Sequence, residues 1–376
     1  MQLRRNLPGA DIRIVEAARK PLSKLALTGG GRCNITNDFS AVERLGEVYP
    51  RGEQLMKRAL KVFSPEDTLE WFGRFGIRFT TEDGGRVFPV SGDAMEVVNA
   101  LRSALDGVEI RCNCAIEELP DGYDVVVVTT GGGSGMNILS HLPVETVEPV
   151  PSLFSFNISD GPGGGRSSLS SLMGLAVMAE LSIPGTKFRS GGKLLITDWG
   201  FSGPAALKLS SYAARYLSEC HYNSALNVRW LGGTEDEIRA GLLTLKADNP
   251  RKLLSSVHPE LIPSRLWSVL LVRTGLRETM TWGELGTKGL NSLVRTLLCD
   301  SYYIHGKTSF REEFVTCGGV SLKSVDPGTL ECKKRPGLYF AGEVLDVDAV
   351  TGGFNLQAAW STAYIVAKSI ISKYDT

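Results

Sequence analysis

Apolar positions in the first third of this chain alternate between short runs and helical stretches. Ile12 to Glu16 reads as a strand ending in an acid, and Leu55 to Phe63 as a helix. Ser64-Pro65-Glu66-Asp67 caps a second helix, with Pro65 at its first position and a stop at Gly73–Gly76. Ile77–Thr81 and Arg86–Val90 flank Asp83-Gly84-Gly85, a hairpin signal. Asp93 and Glu96 stand at capping-box spacing before a helix through Leu105. Val108–Ile116 alternates as a strand that brings Cys112 and Cys114 to one side. With no third or fourth ligand nearby these two read as packing residues, and no metal site is expected. Asp124–Thr129 reads as a fully buried strand, ended by Thr130-Gly131-Gly132-Gly133.

From about Pro149 the texture changes. Short β-like runs (Leu153–Ile158, Leu172–Val177, Lys193–Thr197) are separated by Gly/Ser/Pro loops, which suits an antiparallel sheet or barrel. Gly161–Ser168 lacks the Lys-Ser/Thr ending of a nucleotide P-loop, so it reads as a plain loop. Ser202-Gly203-Pro204 starts a helix through Leu217, and capping-box spacings at Thr234/Glu237 and Thr281/Glu284 make 234–300 helical. Phe314 to Val320 returns to strand. Leu338 to Ala341 is a short buried strand closed by Gly342-Glu343, and Thr351-Gly352-Gly353 opens a helix carrying Ala358, Ala359, Ala363, Ile365 and Val366. The first third and the last sixty residues therefore look like one α/β domain interrupted by an insertion. The expected boundaries are 1–148 and 314–376 for that domain and 149–313 for the insertion (β-rich over 149–233, helical over 234–300).

Composition narrows the class without changing this picture. The 376 residues, 43% hydrophobic and 22% charged, are those of a globular chain, and a formal net charge of zero implies neither nucleic acid nor an acidic membrane as partner. No apolar run approaches the ~18 residues of a membrane span. Seven cysteines without a Cys-x-x-Cys pair point to reduced thiols, a cytoplasmic location and no disulfide-reductase chemistry.

The glycine clusters carry the candidate chemistry. In Lys24 to Asn37, KLALTGGGRCNITN, three glycines beside Thr28, Arg32, Cys33 and Asn34 make a concave run of N–H donors, against the plainer reading of a flexible linker. Paired glycines at a helix start, as at Gly352-Gly353, bare backbone N–H groups toward a phosphate or an electron-rich ring edge; a strand-turn-helix packing unit is the alternative there. Glu16, ending its strand, suits a carboxylate that holds ribose hydroxyls. Such an acid stands about 20 residues after a Gly-rich loop. No G-x-G-x-x-G occurs in the chain, since 29–34, 131–136 and 161–166 fail at the last position, so that loop and the first strand are expected before residue 1. Cys33 reads as a buried structural thiol, and His141, His221, His258 and His305 as surface or local hydrogen-bonding residues.

TGGGRCN-TN at 28–37, VTTGG at 128–132, TDWGFSGPAALKLSS at 197–211, TCGGVSL at 316–322 and PGLYFAGEVLDVDAVTGGFNLQAAWSTAY at 336–364 resemble the BaiN-like (YhiN-like) flavoproteins. These are FAD-dependent oxidoreductases of the glutathione-reductase structural class. The resemblance implies a Rossmann-type FAD-binding domain interrupted by an inserted β-barrel-like domain with a helical excursion. It implies bound FAD, with NAD(P)H a candidate electron donor, and a small-molecule substrate. Family activities include reduction of a conjugated steroid-like enone and oxidation of a small aminoketone. Position by position, Glu16 would bind the adenosine ribose and Ala115 would lie by the adenine. Lys24, Thr28, Gly29, Gly30, Gly31, Arg32, Cys33 and Asn34 belong to the segment along the flavin and pyrophosphate. Thr130, Gly131 and Gly132 would pass the diphosphate, and Gly342, Glu343 and Asp346 the ribityl-phosphate region. Gly352, Gly353, Phe354 and Asn355 would present N–H groups to the pyrimidine edge of the flavin. The family's first strand and Gly-rich loop are not found in the chain, and the segment from Gly132 to Met136 is short. The alternative expectation is a non-catalytic flavin-fold protein with impaired FAD binding.

Overall fold

A computed structural model describes residues 1–308 and 315–375. Phe314, where the returning strand was expected to begin, lies outside them. The chain divides into two compact units, Met1–Val150 with Val315–Thr376, and Pro151–Phe314.

The first unit is built from short strands and long helices. Arg13–Val15 pairs in parallel with Glu109–Arg111, and Val126–Val128 in parallel with Leu338–Phe340. Parallel pairing requires long crossovers, and here they are the helices Glu53–Val62, Pro65–Gly73 and Ala94–Ala104 for one pair and the whole second unit for the other. The hairpin Phe79–Glu82/Arg86–Pro89 forms around Asp83-Gly84-Gly85 and gains a third strand, Thr36–Asn37. Ser64 and Asp67 make the reciprocal capping box that the sequence specifies. Asp93 caps its helix through the Met95 N–H, but Glu96 turns instead to the Ser91 hydroxyl, so only half of that box forms.

Two strands are shorter than their patterns suggest. The run over 108–116 is a strand only at Glu109–Arg111, because Asn113 adopts a left-handed backbone (φ 55°) that breaks the extended path. The run over 124–129 narrows to Val126–Val128, and only Val128 is fully buried, since this strand pairs on one side with Leu338–Phe340. Leu338, Tyr339 and Phe340 are all buried, as expected of the returning strand.

The second unit is a closed six-stranded barrel, in the order Arg189–Ile196, Gly200–Ser202, Phe156–Ser159, Asp300–Lys307, Asn223–Arg229 and Ala176–Ser182. Closure leaves no unpaired sheet edge. The expected run over 172–177 instead splits, with a 3-10 turn ending at Leu172 and the strand beginning at Ala176. Alternate residues point inward, and Phe156, Leu181, Leu194, Phe201, Leu226, Val228 and Ile304 fill the interior. The helix after Ser202 breaks at Ala213 into Gly203–Tyr212 and Ala214–Glu219. The helical excursion consists of Glu235–Asp248, Ser264–Arg273 and Thr287–Leu298. Thr234 and Glu237 cap the first of these with reciprocal bonds, whereas the Glu284 carboxylate accepts from Thr281 but the Glu284 N–H goes to the Thr281 carbonyl, which closes a free-standing turn and starts no helix.

One buried carboxylate ties this excursion to the barrel. Asp300 accepts from the Arg273 guanidinium (2.8 and 3.0 Å), the Trp230 indole (3.0 Å) and the Tyr302 hydroxyl (2.6 Å). Arg273 also reaches Asp160 at 2.9 Å and lies over the Tyr302 ring. Burial and the facing Asp300 carboxylate push the Tyr302 hydroxyl pKa well above its ordinary value. Removing Asp300 leaves Arg273 with the Asp160 carboxylate and takes the acceptor from the buried Trp230 indole and Tyr302 hydroxyl, and breaking a buried pair in this way costs about 3–5 kcal/mol. Asp300→Ala is therefore expected to lower unfolding stability by about that amount, and Asn227→Ala, on a more exposed rim position, by less than ~1 kcal/mol. Urea unfolding of both variants checks the difference.

Candidate functional site

Four consecutive residues of the first unit grip the start of the C-terminal helix, Phe354–Tyr374. With its amide oxygen turned toward the helix, Asn34 accepts from the Gly353 N–H at 3.0 Å and donates to Thr36 O and Val87 O. Ile35 O accepts from the Trp360 indole (3.0 Å). The Thr36 hydroxyl donates to Gln357 Oε1 (2.6 Å), and Asn37 Nδ2 donates to Gly352 O (3.0 Å). The segment thus gripped is the end of the glycine-rich stretch, so the N-terminal and C-terminal motifs form one structure.

A second contact joins the same two regions. Lys24 Nζ lies 2.7 Å from Glu343 Oε2, while Glu343 Oε1 accepts the Thr316 N–H at 2.8 Å. The Thr316 hydroxyl in turn accepts the Gly133 N–H at 3.0 Å. A side chain at Gly132 would meet that hydroxyl at 2.1 Å and Glu343 at 3.0 Å, so only glycine lets the 131–133 turn approach the carboxylate. Gly342, at φ 76°, donates to the Thr362 hydroxyl and sets the 3-10 turn that carries Glu343. Asp346 follows, its N–H bonded to Val320 O. Thr316, Thr362 and Gln357 lie within motifs noted in the sequence, but their partners are too distant along the chain for spacing to show.

Glu16 and Ala115 share another corner. Glu16 donates its N–H to Arg111 O, and Cys114 donates to Glu16 O, which sets Ala115 one residue beyond. The Glu16 carboxylate accepts the Ala18 N–H at 2.8 Å. Thr130 is exposed beside the 131–133 turn.

Several predicted residues have structural partners of their own. Arg32 is engaged by Glu82 (2.7 and 3.4 Å) and lies 4.0 Å over the Phe88 ring; its guanidinium holds the Glu82 carboxyl below the usual range. Cys33 is fully buried among Leu25, Ile35, Phe72 and Val87, and burial pushes its thiol up to about 11, with a Thr28 hydrogen bond opposing. The Phe354 ring packs edge-on to Phe39 and Tyr49, and its carbonyl accepts the Tyr49 hydroxyl. Asn355 pairs both amide atoms with the Ala349 backbone, fixing the loop before the helix. The bidentate ion pair of Arg51 with fully buried Asp348 pins that same loop.

The glycines divide in the same way. A Cβ at Gly353 would sit 2.2 Å from Thr36 O, so that glycine serves the clasp. Gly30 and Gly31, at φ 68° and 83°, face open space and keep their backbone accessible. A cavity of about 470 Å³ lined by Trp71, Arg74, Phe75 and the helix Gln2–Asn6 contains none of the predicted residues. Among the described residues no helix is long and apolar enough to cross a membrane.

A family model described as "HI0933-like protein Rossmann domain" matches residues 3–369. A 3-dehydro-bile acid delta(4,6)-reductase of Clostridium scindens is 28% identical, with 96% of this chain and 92% of the relative aligned. Ribosomal RNA dihydrouridine synthases of Escherichia coli K12 and Haemophilus influenzae are each 27% identical, over 97% and 96% of this chain and 93% of each relative. Among solved structures, a mutant FrdA chain of E. coli quinol fumarate reductase aligns with 100% of this chain and 68% of its own, at 13% identity and a TM-score of 0.40.

The burial of Cys33 yields a direct test. Burial holds its thiolate fraction at neutral pH well below that of an ordinary thiol, and alkylating reagents react with the thiolate. In folded protein, iodoacetamide is expected to label exposed Cys299 and spare Cys33, which reacts only after denaturation. Peptide mass spectrometry reads both sites.

Proposed function

This chain belongs to the HI0933-like Rossmann-domain family, the BaiN/YhiN-like group of FAD-dependent oxidoreductases, and we propose that it reduces a carbon–carbon double bond conjugated to a carbonyl. The observation that carries this reading is that relatives with different substrates share one reaction. A 3-dehydro bile acid with delta(4,6) unsaturation is a dienone, and dihydrouridine forms by adding hydrogen across a uracil double bond conjugated to a ring carbonyl. In both, hydride goes to one carbon and a proton to its neighbour. Bound FAD would supply the hydride, with NAD(P)H as the proposed reductant.

The residues present fit that cofactor by the chemistry of their donors. Gly30 and Gly31 offer open backbone where a flat ring or a pyrophosphate can approach. Lys24 and the Thr316 N–H orient the Glu343 carboxylate, which can accept ribityl hydroxyls. The first turn of Phe354–Tyr374 has N–H groups without intrahelical partners and the positive end of a 21-residue helix, which favours the charge of a reduced ring. Glu16 and Ala115 would take the adenosine. Arg32, engaged by Glu82, and Phe354 and Cys33, packed in the core, would contribute through backbone alone.

Net charge alone suggested that nucleic acid is no partner; the two relatives named for ribosomal RNA remove that ground, and uridine in RNA stands beside a free enone as substrate. We place the reaction in the cytoplasm, consistent with seven cysteines and no Cys-x-x-Cys pair.

The test is anaerobic. Holoprotein, chemically reduced and mixed with a steroidal enone, its saturated ketone, or a uridine-containing RNA, is expected to regain the oxidised flavin spectrum with an unsaturated acceptor and not with the saturated ketone. Absence of bound FAD, or no reoxidation by any conjugated acceptor, overturns the reading. Gly30→Asp sharpens it: open space keeps the fold, while the new negative charge should weaken FAD binding at least about tenfold, whereas Gly30→Asn, which tolerates positive φ, should bind within about threefold of the parent. Equilibrium FAD titration followed by fluorescence gives both numbers.

A further inference from the structure

One buried polar side chain of the clasp has more partners than the Thr36 contact described above. Gln357 is fully buried one turn into the C-terminal helix, and its amide is satisfied on both sides. Oε1 accepts the Thr36 hydroxyl at 2.6 Å and lies 3.0 Å from the Thr68 hydroxyl. Nε2 donates to Ser361 Oγ (3.0 Å) and to Phe63 O (3.3 Å), and Ser361 Oγ donates to the same carbonyl at 2.7 Å. Thr36, Thr68 and Ser361 are themselves buried. This amide therefore joins four elements: the strand Thr36–Asn37, the end of Glu53–Val62, the helix Pro65–Gly73 and the C-terminal helix.

Packing alone calls for an apolar side chain here, since an amide gains little over an apolar group unless its geometry is used. The geometry that this one uses is directional. Hydrogen bonds fix rotation about the helix axis and sliding along it, which dispersion contacts leave soft. The backbone N–H of Gln357 bonds to Gly353 O at 3.0 Å, so the side chain acts directly on the first turn.

We infer that Gln357 is a positioning residue, which locks the first turn of Phe354–Tyr374 against the strand Thr36–Asn37 and so aims its free N–H groups. The effect on a cofactor rests on the flavin reading above; the effect on the helix does not.

Gln357→Met keeps length and volume and removes both polar atoms. In the protein without added flavin, amide hydrogen exchange at Gly353, Gln357 and Ile35, whose N–H groups are hydrogen-bonded, should quicken about tenfold, with Ile365–Tyr374 unchanged. In FAD-loaded protein the flavin reduction potential should fall, because the helix end no longer steadies the reduced ring, and FAD affinity should drop about tenfold. If Gln357→Met does not fold, Ser361→Ala and Thr68→Val each remove one partner and should give smaller changes in the same places. Unchanged exchange, or acceleration spread evenly along the helix, overturns the positioning role. Locally faster exchange with an unaltered potential in a protein that binds FAD keeps the lock and overturns its effect on the cofactor. A parent protein that binds no FAD sinks the flavin reading and leaves the exchange result to decide the lock.

Discussion

The clasp between residues 34–37 and the beginning of the last helix is the constraint on which the first unit depends. Each of the four residues spends a hydrogen bond on it, two through side-chain amides, one through a hydroxyl and one through a carbonyl. Individually such bonds contribute about 0.5–1.5 kcal/mol, but leaving one buried partner unpaired costs about 1–3. The set is thus hard to dissolve piecemeal. It also explains why Gly353 has no side chain, why Asn34 is an amide, and why the glycine run before it is held at one end and open at the other.

That division separates structural from chemical glycines, and here the sequence was only partly legible. Strand, Gly-acid, Gly-Gly and helix start could be read off residues 337–367, as could the hairpin at Asp83-Gly84-Gly85, the cap at Ser64–Asp67 and the box at Thr234/Glu237, because each signal is local. Thr281 and Glu284 have the same spacing without a helix, and there only half of the box forms, the Glu284 N–H bonding to the Thr281 carbonyl instead of its hydroxyl. Nothing local distinguishes Gly353 from Gly30. The difference is the Thr36 carbonyl, more than three hundred residues from one of them.

The cations near the glycine run show the same limit. Arg32 beside three glycines looks like an anion ligand until Glu82, fifty residues on, is seen to engage it. Cys33 reads from the sequence as a buried structural thiol, and it is a core residue whose backbone, at φ 59°, turns the chain into the clasp. Lys24, by contrast, meets an acid that is itself part of the candidate site, so its pairing organises that site.

The barrel unit, Pro151–Phe314, is continuous in the chain, whereas the clasp joins residues such as Thr36 and Gln357, 321 positions apart. During synthesis the barrel has all its strands before Val315 is added, and it can close while the ribosome is still at work. The amino-terminal segment must meanwhile wait, with the bonds of Asn34, Thr36 and Asn37 to the last helix unmade and Val126–Val128 without its partner Leu338–Phe340. A chaperone that shields residues 1–150 during that interval would act on the part of the protein most exposed to misassembly, and synonymous changes that slow translation beyond residue 315 would lengthen the wait.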